Sequence, residues 1–464
     1  MLANSTLSSK KIILLLGDSL LLYFSLWLTL LIRYQNKFSG ALWQDHLIPF
    51  SVIFILWLVT FYISNLYEFN NIRNYQSLLS QLFQSFIFNS LIATAFFYLG
   101  QNRLFTIRPQ RVLIINVLLA LILIYGWRLI FVWLTKINKT TNHLMVIGKN
   151  ALVAEIYEEI TPKPELGFKI KIGISNNLND GLDKILPGIK IFNDFKNLKE
   201  ICTQYKINTI ISTIHPRQSP ELSKSLFECL PLKISFFDIA TFYESITGKI
   251  PVNTIEQVWF LENFAEGSKK FYDRLKRVFD FFLASILLII SLPLTPLICL
   301  MIKLGSHGPI FFTQIRNGKD SKNFKIIKFR SMVIDAEKNG PQWAQINDPR
   351  ITKIGKFLRK TRLDEIPQLI NVLKGEMSLI GPRPERPEFV NELENKIPFY
   401  RERLLVKPGL SGWAQIKGPA YGGSAEESLE KLQYDLYYIK NRSFVLDLSI
   451  ILKTVGIILS RQGQ

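Results

Sequence analysis

The chain has 464 residues, of which 48% are hydrophobic and 20% charged, and it carries a formal net charge of +19. The apolar content excludes an intrinsically disordered protein, and the length suggests about three domains. The excess of Lys and Arg predicts an anionic partner, such as membrane headgroups or phosphates. The three cysteines and four histidines show no metal-ligand or disulfide spacing. This argues against a zinc module and against an oxidised extracellular scaffold.

Residues 1–140 read as a polytopic membrane segment. Each of its apolar stretches is close to the roughly 20 residues that a helix needs to cross a bilayer. These stretches lie near 12–32, 47–66, 79–99 and 112–134. Asp18 and Arg128 fall inside spans, and we expect them to pair or to settle helix packing, with a functional role as the alternative. The positive-inside rule gives no single orientation, because basic residues flank both sides.

Residues 141–250 alternate short β-rich runs with helical ones. The runs are HLMVIG (143–148), KIKIGI (169–174), NTIISTI (208–214) and KISFFD (233–238). This pattern predicts a parallel, doubly wound, Rossmann-like α/β module. A dinucleotide site needs G-x-G-x-x-G after the first strand, whereas here Gly148 is followed by Lys149 and Asn150. We therefore expect a structural or regulatory module, and whether it binds a ligand stays open.

A linker at 251–271 leads to a fifth apolar stretch, 278–302, which Ser291, Pro293 and Pro296 interrupt. Proline removes a backbone donor and clashes with the preceding turn, so the stretch should break there. A helix over 278–290 would be about 20 Å long, which is too short to span the hydrocarbon core. Because basic residues flank both ends, a re-entrant hairpin is favoured over a crossing.

The segment 359–375 reads as a helix, with Asp364 as N-cap, Pro367 in the first turn and Gly375 at its end. On that interpretation Asp364 and Glu365 are ordinary cap and dipole residues. The functional alternative uses them separately, since adjacent helical side chains point about 100° apart. One carboxylate would attack phosphorus and the other would hold Mg²⁺. Nearby arginines, which could clamp a diphosphate, are Arg359, Arg362, Arg383 and Arg386.

Seven motifs follow one another after the linker. They are KRVFD (276–280), QIRNG (314–318), KFRSM (328–332), DPRIT (348–352), RLDEIPQL (362–369), GEMSLIGPRPE (375–385) and PGLSGWAQ (408–415). In this order they resemble the bacterial sugar transferases, the monotopic polyprenyl-phosphate phosphoglycosyl transferases. With four upstream spans and an α/β module, the whole chain resembles the large subfamily that initiates exopolysaccharide or O-antigen synthesis. The single glycine at 148 departs from a glycine-rich turn frequent in that subfamily.

The resemblance implies a two-step transfer. Asp364 would attack the β-phosphate of a UDP-sugar and release UMP, and undecaprenyl phosphate would then take the phosphosugar from the enzyme. Glu365 would position Mg²⁺ at the diphosphate. The residues implied at the substrate phosphates are Arg359, Arg362, Arg383, Lys328 and Arg330. Those implied at the nucleotide are Pro408, Gly409, Gly412, Trp413 and Gln415. Those implied in the membrane hairpin are Lys276, Arg277, Asp280, Ser291, Pro293 and Pro296.

The resulting architecture is a four-helix transmembrane bundle, a Rossmann-like module, and a mainly helical α/β catalytic domain over 272–464 on a re-entrant helix. Basic residues should hold that domain on anionic lipids at the cytoplasmic side of a bacterial inner membrane. The stretch 444–460 should lie in the interface, although its length also permits a span. No nucleic-acid-binding signature is present. The transferred sugar is not readable, and a homodimer is one open possibility for the oligomeric state.

Two other functions fit parts of the sequence. A membrane-bound nucleotide-sugar epimerase or dehydratase would also join four spans to a Rossmann domain, but the glycine-rich turn that it needs is missing. A non-enzymatic membrane scaffold would fit the charge, and it would tolerate the change Asp364→Asn.

Overall fold

The computed structural model describes residues 2–67, 75–100, 107, 110–137, 142–175, 181–195, 197–264, 269–338, 340, 342–343, 348–419 and 424–459. The chain divides into two compact units, Met1–Asp238 and Ile239–Gln464.

The first unit begins with helices of membrane-spanning length. They are α1 (Leu2–Tyr34), α2 (Gly40–Ile63), α3 (Tyr75–Gly100) and α4 (Gln110–Ile137). Their inward side chains share one hydrophobic core, while large apolar residues such as Leu20, Ile48 and Leu91 stay exposed. An apolar outer surface is what a bundle surrounded by lipid requires. The prediction of four membrane-length helices is confirmed.

The two intramembrane charges form an ion pair between α1 and α4. Arg128 Nη2 lies 2.5 Å from Asp18 Oδ2, and both side chains are completely buried. The guanidinium carbon of Arg128 also lies 4.9 Å from the centre of the Tyr67 ring. The expectation that these charges pair is confirmed, and neither faces lipid.

The second part of this unit is a parallel five-stranded sheet in the order β3-β2-β1-β4-β5. Its strands are β1 (Asn142–Ile147), β2 (Phe168–Ile174), β3 (Lys190–Phe192), β4 (Thr209–Ser212) and β5 (Ser235–Asp238). The connecting helices are α5 (Ala151–Ile160), α6 (Leu182–Ile185), α7 (Leu198–Gln204) and α8 (Pro220–Glu228). The doubly wound module is confirmed. Strand β3 was not predicted, because three residues with no fully buried side chain give no apolar run.

The second unit opens with a segment that we call the strap, residues 239–264, which contains α9 (Ile239–Thr247) and α10 (Gln257–Asn263). The backbone N–H of Ile250 donates to Gln433 O at 3.1 Å. Glu244 accepts hydrogen bonds at 2.7 Å from both Lys440 and Asn441. Apolar strap residues share one hydrophobic core with the rest of this unit. The strap is therefore an integral part of the second unit.

The apolar stretch near 290 forms a bent helix pair. Helices α11 (Lys270–Ser291) and α12 (Thr295–Gly305) meet at 62° across the break that contains Pro293. This geometry resembles a re-entrant hairpin, as predicted. The predicted helix start at 278 is wrong, because α11 already begins at Lys270 and is about 33 Å long. Its polar first half packs into the rest of the second unit, where Lys276 and Asp280 are buried.

The remaining elements make this unit mainly helical, as predicted. The strands are β6 (Phe311–Asn317), β7 (Asn323–Phe329), β8 (Ser378–Ile380) and β9 (Gly409–Ser411). The helices are α13 (Lys353–Lys360), α14 (Gln368–Lys374), α15 (Pro387–Glu394), α16 (Trp413–Lys417), α17 (Ala425–Asn441) and α18 (Phe444–Leu459). Strands β6 and β7 form an antiparallel hairpin, and β8 pairs with β9 in parallel. The interfacial position of α18 stays a prediction.

Candidate active site

Asp364 and Glu365 lie in a single 3₁₀ turn, Leu363–Glu365, between α13 and α14. The turn begins after Arg362, whose φ of +57° is left-handed. The prediction that Asp364 caps a helix is wrong, because α14 starts only at Gln368, after Pro367. Gly375 does end that helix, with a φ of +83°. The turn directs both carboxylates into the interior, where they are only 6% and 7% exposed.

Glu365 is surrounded by cations. Its Oε1 atom lies 2.9 Å from Arg383 Nη2, 3.4 Å from Lys328 Nζ and 3.6 Å from Arg362 Nη1. Burial alone would raise the pKa of the Glu365 carboxyl, but these three charges together lower it to about 2. Glu365 is therefore ionised throughout the physiological pH range. Three of the five residues predicted at the substrate phosphates thus meet at one carboxylate oxygen.

Asp364 has a different environment. Its Oδ1 atom is buried and accepts no hydrogen bond from any residue that the structure describes. Burial raises the pKa of Asp364 and the negative charge of Glu365 raises it further, to about 6, although the nearby cations oppose both effects. A buried carboxylate with a free oxygen is poorly stabilised as an anion. It is therefore chemically suited to attack an electrophile placed beside it.

Lys328 reaches this cluster from the end of β7. Burial lowers the pKa of its ammonium group to about 8, against the opposing effect of Glu365. Asn371 on α14 fixes the strand, since its Oδ1 accepts from Ile327 N at 3.1 Å and its Nδ2 donates to Lys325 O at 2.8 Å. Sequence reasoning missed this role of Asn371. An Asn on the buried side of a predicted helix was the available signal.

The other two residues predicted at the substrate phosphates, Arg359 and Arg330, do not contact Glu365 in the structure and have other partners. Arg359 Nε donates to Ser331 Oγ at 2.9 Å, and the charge of Arg359 acts on Asp364. Arg330 donates to the carbonyl oxygens of Ser306 and His307 at 2.7 and 2.6 Å. Arg330 is thereby tied to the chain just after α12. The structure thus brings Arg359 to Asp364 and uses the Arg330 guanidinium to hold the end of the hairpin.

A buried ion pair holds the backbone of Arg383 in place. Arg403 Nη2 lies 2.8 Å from Asp435 Oδ2, and both side chains are at most 5% exposed. The same nitrogen donates to the backbone carbonyl of Arg383 at 3.1 Å. Arg403 also donates to Tyr400 Oη at 2.7 Å. This pair, which no sequence pattern connects, fixes the backbone that carries Arg383.

The segment predicted to contact the nucleotide packs beside that backbone. Gly409 N donates to Pro382 O at 2.8 Å, and Gly381 N donates to Ser411 O at 2.9 Å. The two chains approach so closely that a Cβ on Gly409 would collide with Gly381. Gln415 Oε1 is buried and has no partner among the described residues. Pro408, Gly409 and Gly412 all lie next to Gly381. Their role in nucleotide binding stays a prediction.

Trp413 forms a hydrogen bond with the strap. Its indole N–H donates to Gly248 O at 3.1 Å, and its ring stacks on Tyr437 with the centres 5.9 Å apart. We expect Trp413→Phe to lower the stability of the protein by about 1 kcal/mol, because Gly248 O loses a partly buried hydrogen-bond donor. Thermal unfolding of the purified protein measures this effect. A matched exposed change, Phe357→Leu, should leave the melting temperature nearly unchanged, and an unaltered Trp413→Phe protein would contradict the expectation.

The predicted hairpin residues anchor α11 to the catalytic unit. Arg277 donates to the carbonyls of Val372 and Leu373, at the end of α14, at 2.5 and 2.7 Å. Asp280 accepts from Ser378 Oγ at 2.7 Å. Lys276 Nζ lies 2.7 Å from Asp447 Oδ2 on α18.

Asp447 is a second residue whose contacts sequence reasoning missed, since it was interpreted only as a polar position of an interfacial helix over 444–460. Besides Lys276, it accepts hydrogen bonds from the hydroxyl groups of Tyr272 and Tyr438 at 2.6 and 2.8 Å. The base of the hairpin is thus held from two sides. Of the remaining predicted residues, Ser291 donates to Leu288 O at 2.7 Å. Pro293 and Pro296 lie at the break and in the first turn of α12.

The carboxylates fit Mg²⁺ only in combination with a substrate. Within the described ranges, no group of three or more His, Cys, Asp or Glu side chains could hold a metal ion. Mg²⁺, however, commonly uses one or two carboxylates together with substrate phosphates and water. Asp364 Oδ1, which has no hydrogen-bond partner among the residues that the structure describes, lies beside Glu365 and fits that requirement.

The second unit resembles a known family of proteins. Residues 271–461 match the family model described as bacterial sugar transferase. The chain is 41% identical over 246 residues to the UDP-N-acetylgalactosamine-undecaprenyl-phosphate N-acetylgalactosaminephosphotransferase of Aeromonas hydrophila. The aligned region covers 52% of this chain and 56% of that protein. It is 33% identical over 332 residues to the UDP-glucose:undecaprenyl-phosphate glucose-1-phosphate transferase of Escherichia coli, covering 70% of this chain and 69% of the relative. The exopolysaccharide production protein PSS of Rhizobium leguminosarum is 41% identical over 188 residues, covering 39% of this chain and 93% of that protein.

Proposed function

Because this chain belongs to the bacterial sugar transferase family, the polyprenyl-phosphate sugar-1-phosphate transferases, we propose that it transfers a sugar 1-phosphate from a UDP-sugar to undecaprenyl phosphate through a covalent intermediate on Asp364. The product would be the first membrane-bound precursor of an exopolysaccharide. The observation that carries the mechanism is the buried Asp364, whose Oδ1 atom has no hydrogen-bond partner in the described part of the chain and which adjoins the cations around Glu365.

The first step exchanges one phosphorus–oxygen bond for another. A carboxylate oxygen of Asp364 attacks the β-phosphorus of the UDP-sugar, the anhydride bond to the α-phosphate breaks, and UMP leaves with the bridging oxygen. Arg383, Lys328 and Arg362 would bind the diphosphate oxygens, where their charge stabilises the transition state. Arg359 is one of the cations whose charge lowers the pKa of Asp364 against the raising effect of burial, so it would favour the ionised nucleophile.

The second step releases the phosphosugar to the lipid. A phosphate oxygen of undecaprenyl phosphate attacks the same phosphorus, and the bond to Asp364 breaks, which restores the carboxylate. No water takes part and no proton is consumed when both phosphates are ionised. The anchored hairpin of α11 and α12 would keep the site at the membrane surface, where the lipid phosphate lies.

Mg²⁺ would be held by Glu365 and Asp364 together with the donor phosphates, and when bound it would neutralise the charge of the diphosphate. We place the catalytic unit on the cytoplasmic side of a bacterial inner membrane. The support is the excess of basic residues on both sides of the hairpin, which favours the cytoplasmic leaflet.

The test is UMP release by the full chain in nanodiscs with Mg²⁺, measured with a panel of UDP-sugars that includes UDP-glucose and UDP-N-acetylgalactosamine. We expect one donor to give a burst of UMP equal to the enzyme concentration without acceptor, and continuous release when undecaprenyl phosphate is added. Labelled UMP should exchange into that donor without acceptor. An epimerase would convert the donor without UMP release, and a scaffold would leave every donor intact.

The pH dependence of the burst should be bell-shaped, with apparent pKa values near 6 and 8. Asp364 is neutral below its raised pKa, so the burst rate falls as the pH drops below 6. Lys328 loses its charge above its lowered pKa, so the rate also falls at alkaline pH. Lys328→Arg should remove the alkaline limb and keep the acidic one. A rate that stays constant across both pKa values would contradict these assignments.

A further inference from the structure

Glu365 already occupies the position of an anion in the structure. Its Oε1 atom contacts Arg383, Lys328 and Arg362 within 3.6 Å, which are cations proposed to bind the donor diphosphate. A carboxylate oxygen and a phosphate oxygen attract the same guanidinium and ammonium groups. The side chain of Glu365 is only 9% exposed, so water screens these contacts weakly. A donor phosphate and Glu365 therefore compete for one set of cations.

In the free enzyme the same cations disfavour the binding of a metal ion. Four basic side chains surround the two carboxylates, since Arg359 acts on Asp364 in addition to the three that contact Glu365. The cluster thus has an excess of positive charge, and a divalent cation entering it would be repelled. The described residues also provide no third acidic ligand. Both obstacles disappear when a diphosphate brings negative charge and additional oxygen ligands.

We propose that Glu365 stands in for the donor diphosphate in the free enzyme, gives up its cations to the phosphate oxygens when the UDP-sugar binds, and only then accepts a divalent cation. The inference rests on the proposed function, since it concerns the same site. No covalent bond changes in this exchange. The consequence is an obligatory binding order, in which the metal enters with the donor or after it.

The exchange predicts an uncommon effect of removing the Glu365 charge. Glu365→Gln eliminates the internal competitor and leaves the cations free. The variant should bind a diphosphate more tightly than the unmodified protein does when no metal is present, by about tenfold or more. It should lose the metal site at the same time. If Glu365 only positioned its neighbours, the substitution would weaken diphosphate binding instead.

The experiment uses the full chain in nanodiscs of neutral lipid, with UDP as a diphosphate that cannot transfer a sugar. Binding of UDP in EDTA is measured by calorimetry, and binding of Mn²⁺ with and without UDP is measured by electron paramagnetic resonance. We expect Mn²⁺ to bind the UDP-loaded enzyme at least about tenfold more tightly than the free enzyme, after correction for the binary Mn²⁺–UDP complex. Glu392→Gln, an exposed change on α15, is the matched control and should behave like the unmodified chain.

Two results would overturn the proposal. One is equal Mn²⁺ affinity with and without UDP, and the other is weaker UDP binding by Glu365→Gln in EDTA. Both readouts are independent of turnover. An enzyme that releases no UMP from any donor would contradict the proposed function, whereas the binding order would still be decided by these two measurements.

Discussion

Asp364→Asn should abolish the UMP burst, lowering its rate by about 10³-fold or more. The amide has nearly the same shape as the carboxylate but cannot form the acyl phosphate. The measurement is a rapid-quench assay with a donor labelled in its β-phosphate, combined with mass spectrometry of the intact protein. The unmodified protein should carry one phosphosugar on the peptide that contains residue 364, and the variant should carry none.

The loss should not come from misfolding. Burial raises the pKa of Asp364 to about 6, so ionisation of this group weakens folding at neutral pH and ceases to do so below the unfolded pKa. Asn removes that cost, and the melting temperature of the variant should be equal or higher at neutral pH. Asp320→Asn is the matched control, because Asp320 is exposed and its φ of +54° suits Asn. A full UMP burst from Asp364→Asn would exclude Asp364 as the nucleophile.

Asp435→Asn should produce the largest loss of stability, about 3 kcal/mol, because among the described residues it leaves the buried Arg403 with Glu385, 3.8 Å away, as its remaining carboxylate partner. Asp435 is 1% exposed, so water cannot replace the lost carboxylate. Without Asp435 to orient it, the Arg403 guanidinium would also position the backbone carbonyl of Arg383, to which it donates a hydrogen bond, less precisely. We therefore expect a lower melting temperature together with weaker donor binding.

A rescue variant separates the two effects. Replacing both partners, as Asp435→Leu with Arg403→Met, removes the buried charges and should recover part of the stability. Donor binding should remain weak, because the support of the Arg383 backbone is still missing. Glu392→Gln breaks an exposed ion pair with Lys396 and should cost no more than about 1 kcal/mol. If Asp435→Asn melted like this control, the buried pair would have no structural importance.

The sequence predicts local features well and distant contacts poorly. Four apolar stretches, a proline break and alternating β-rich runs determine the spans, the bent hairpin and the parallel sheet, because each pattern depends on neighbours within about 20 residues. The prediction at Asp364 fails for a related reason. Cap signals describe a carboxylate near backbone N–H groups, whereas cations that are distant in sequence, at Lys328 and Arg383, draw the neighbouring Glu365 into the interior.

The supporting pairs of the site could not be read in advance. Lys276 and Asp447 are far apart in the chain, as are Arg403 and Asp435, and a single sequence contains nothing that links one to the other. The role of Asn371 was only partly predictable. A buried Asn needs hydrogen-bond partners, but the sequence does not show which residues they are. The chemistry of a site is thus easier to predict than the framework that holds it.

The strap has a consequence for moving this catalytic unit into other proteins. A fusion that begins at residue 271, where the family match starts, would cut away the chain that supplies Gly248 O to Trp413 and Glu244 to Lys440 and Asn441. It would also expose apolar surface on α17 that Ile250 now covers. A transplanted unit should therefore start at Ile239, and a shorter graft needs a polar redesign of the uncovered surface.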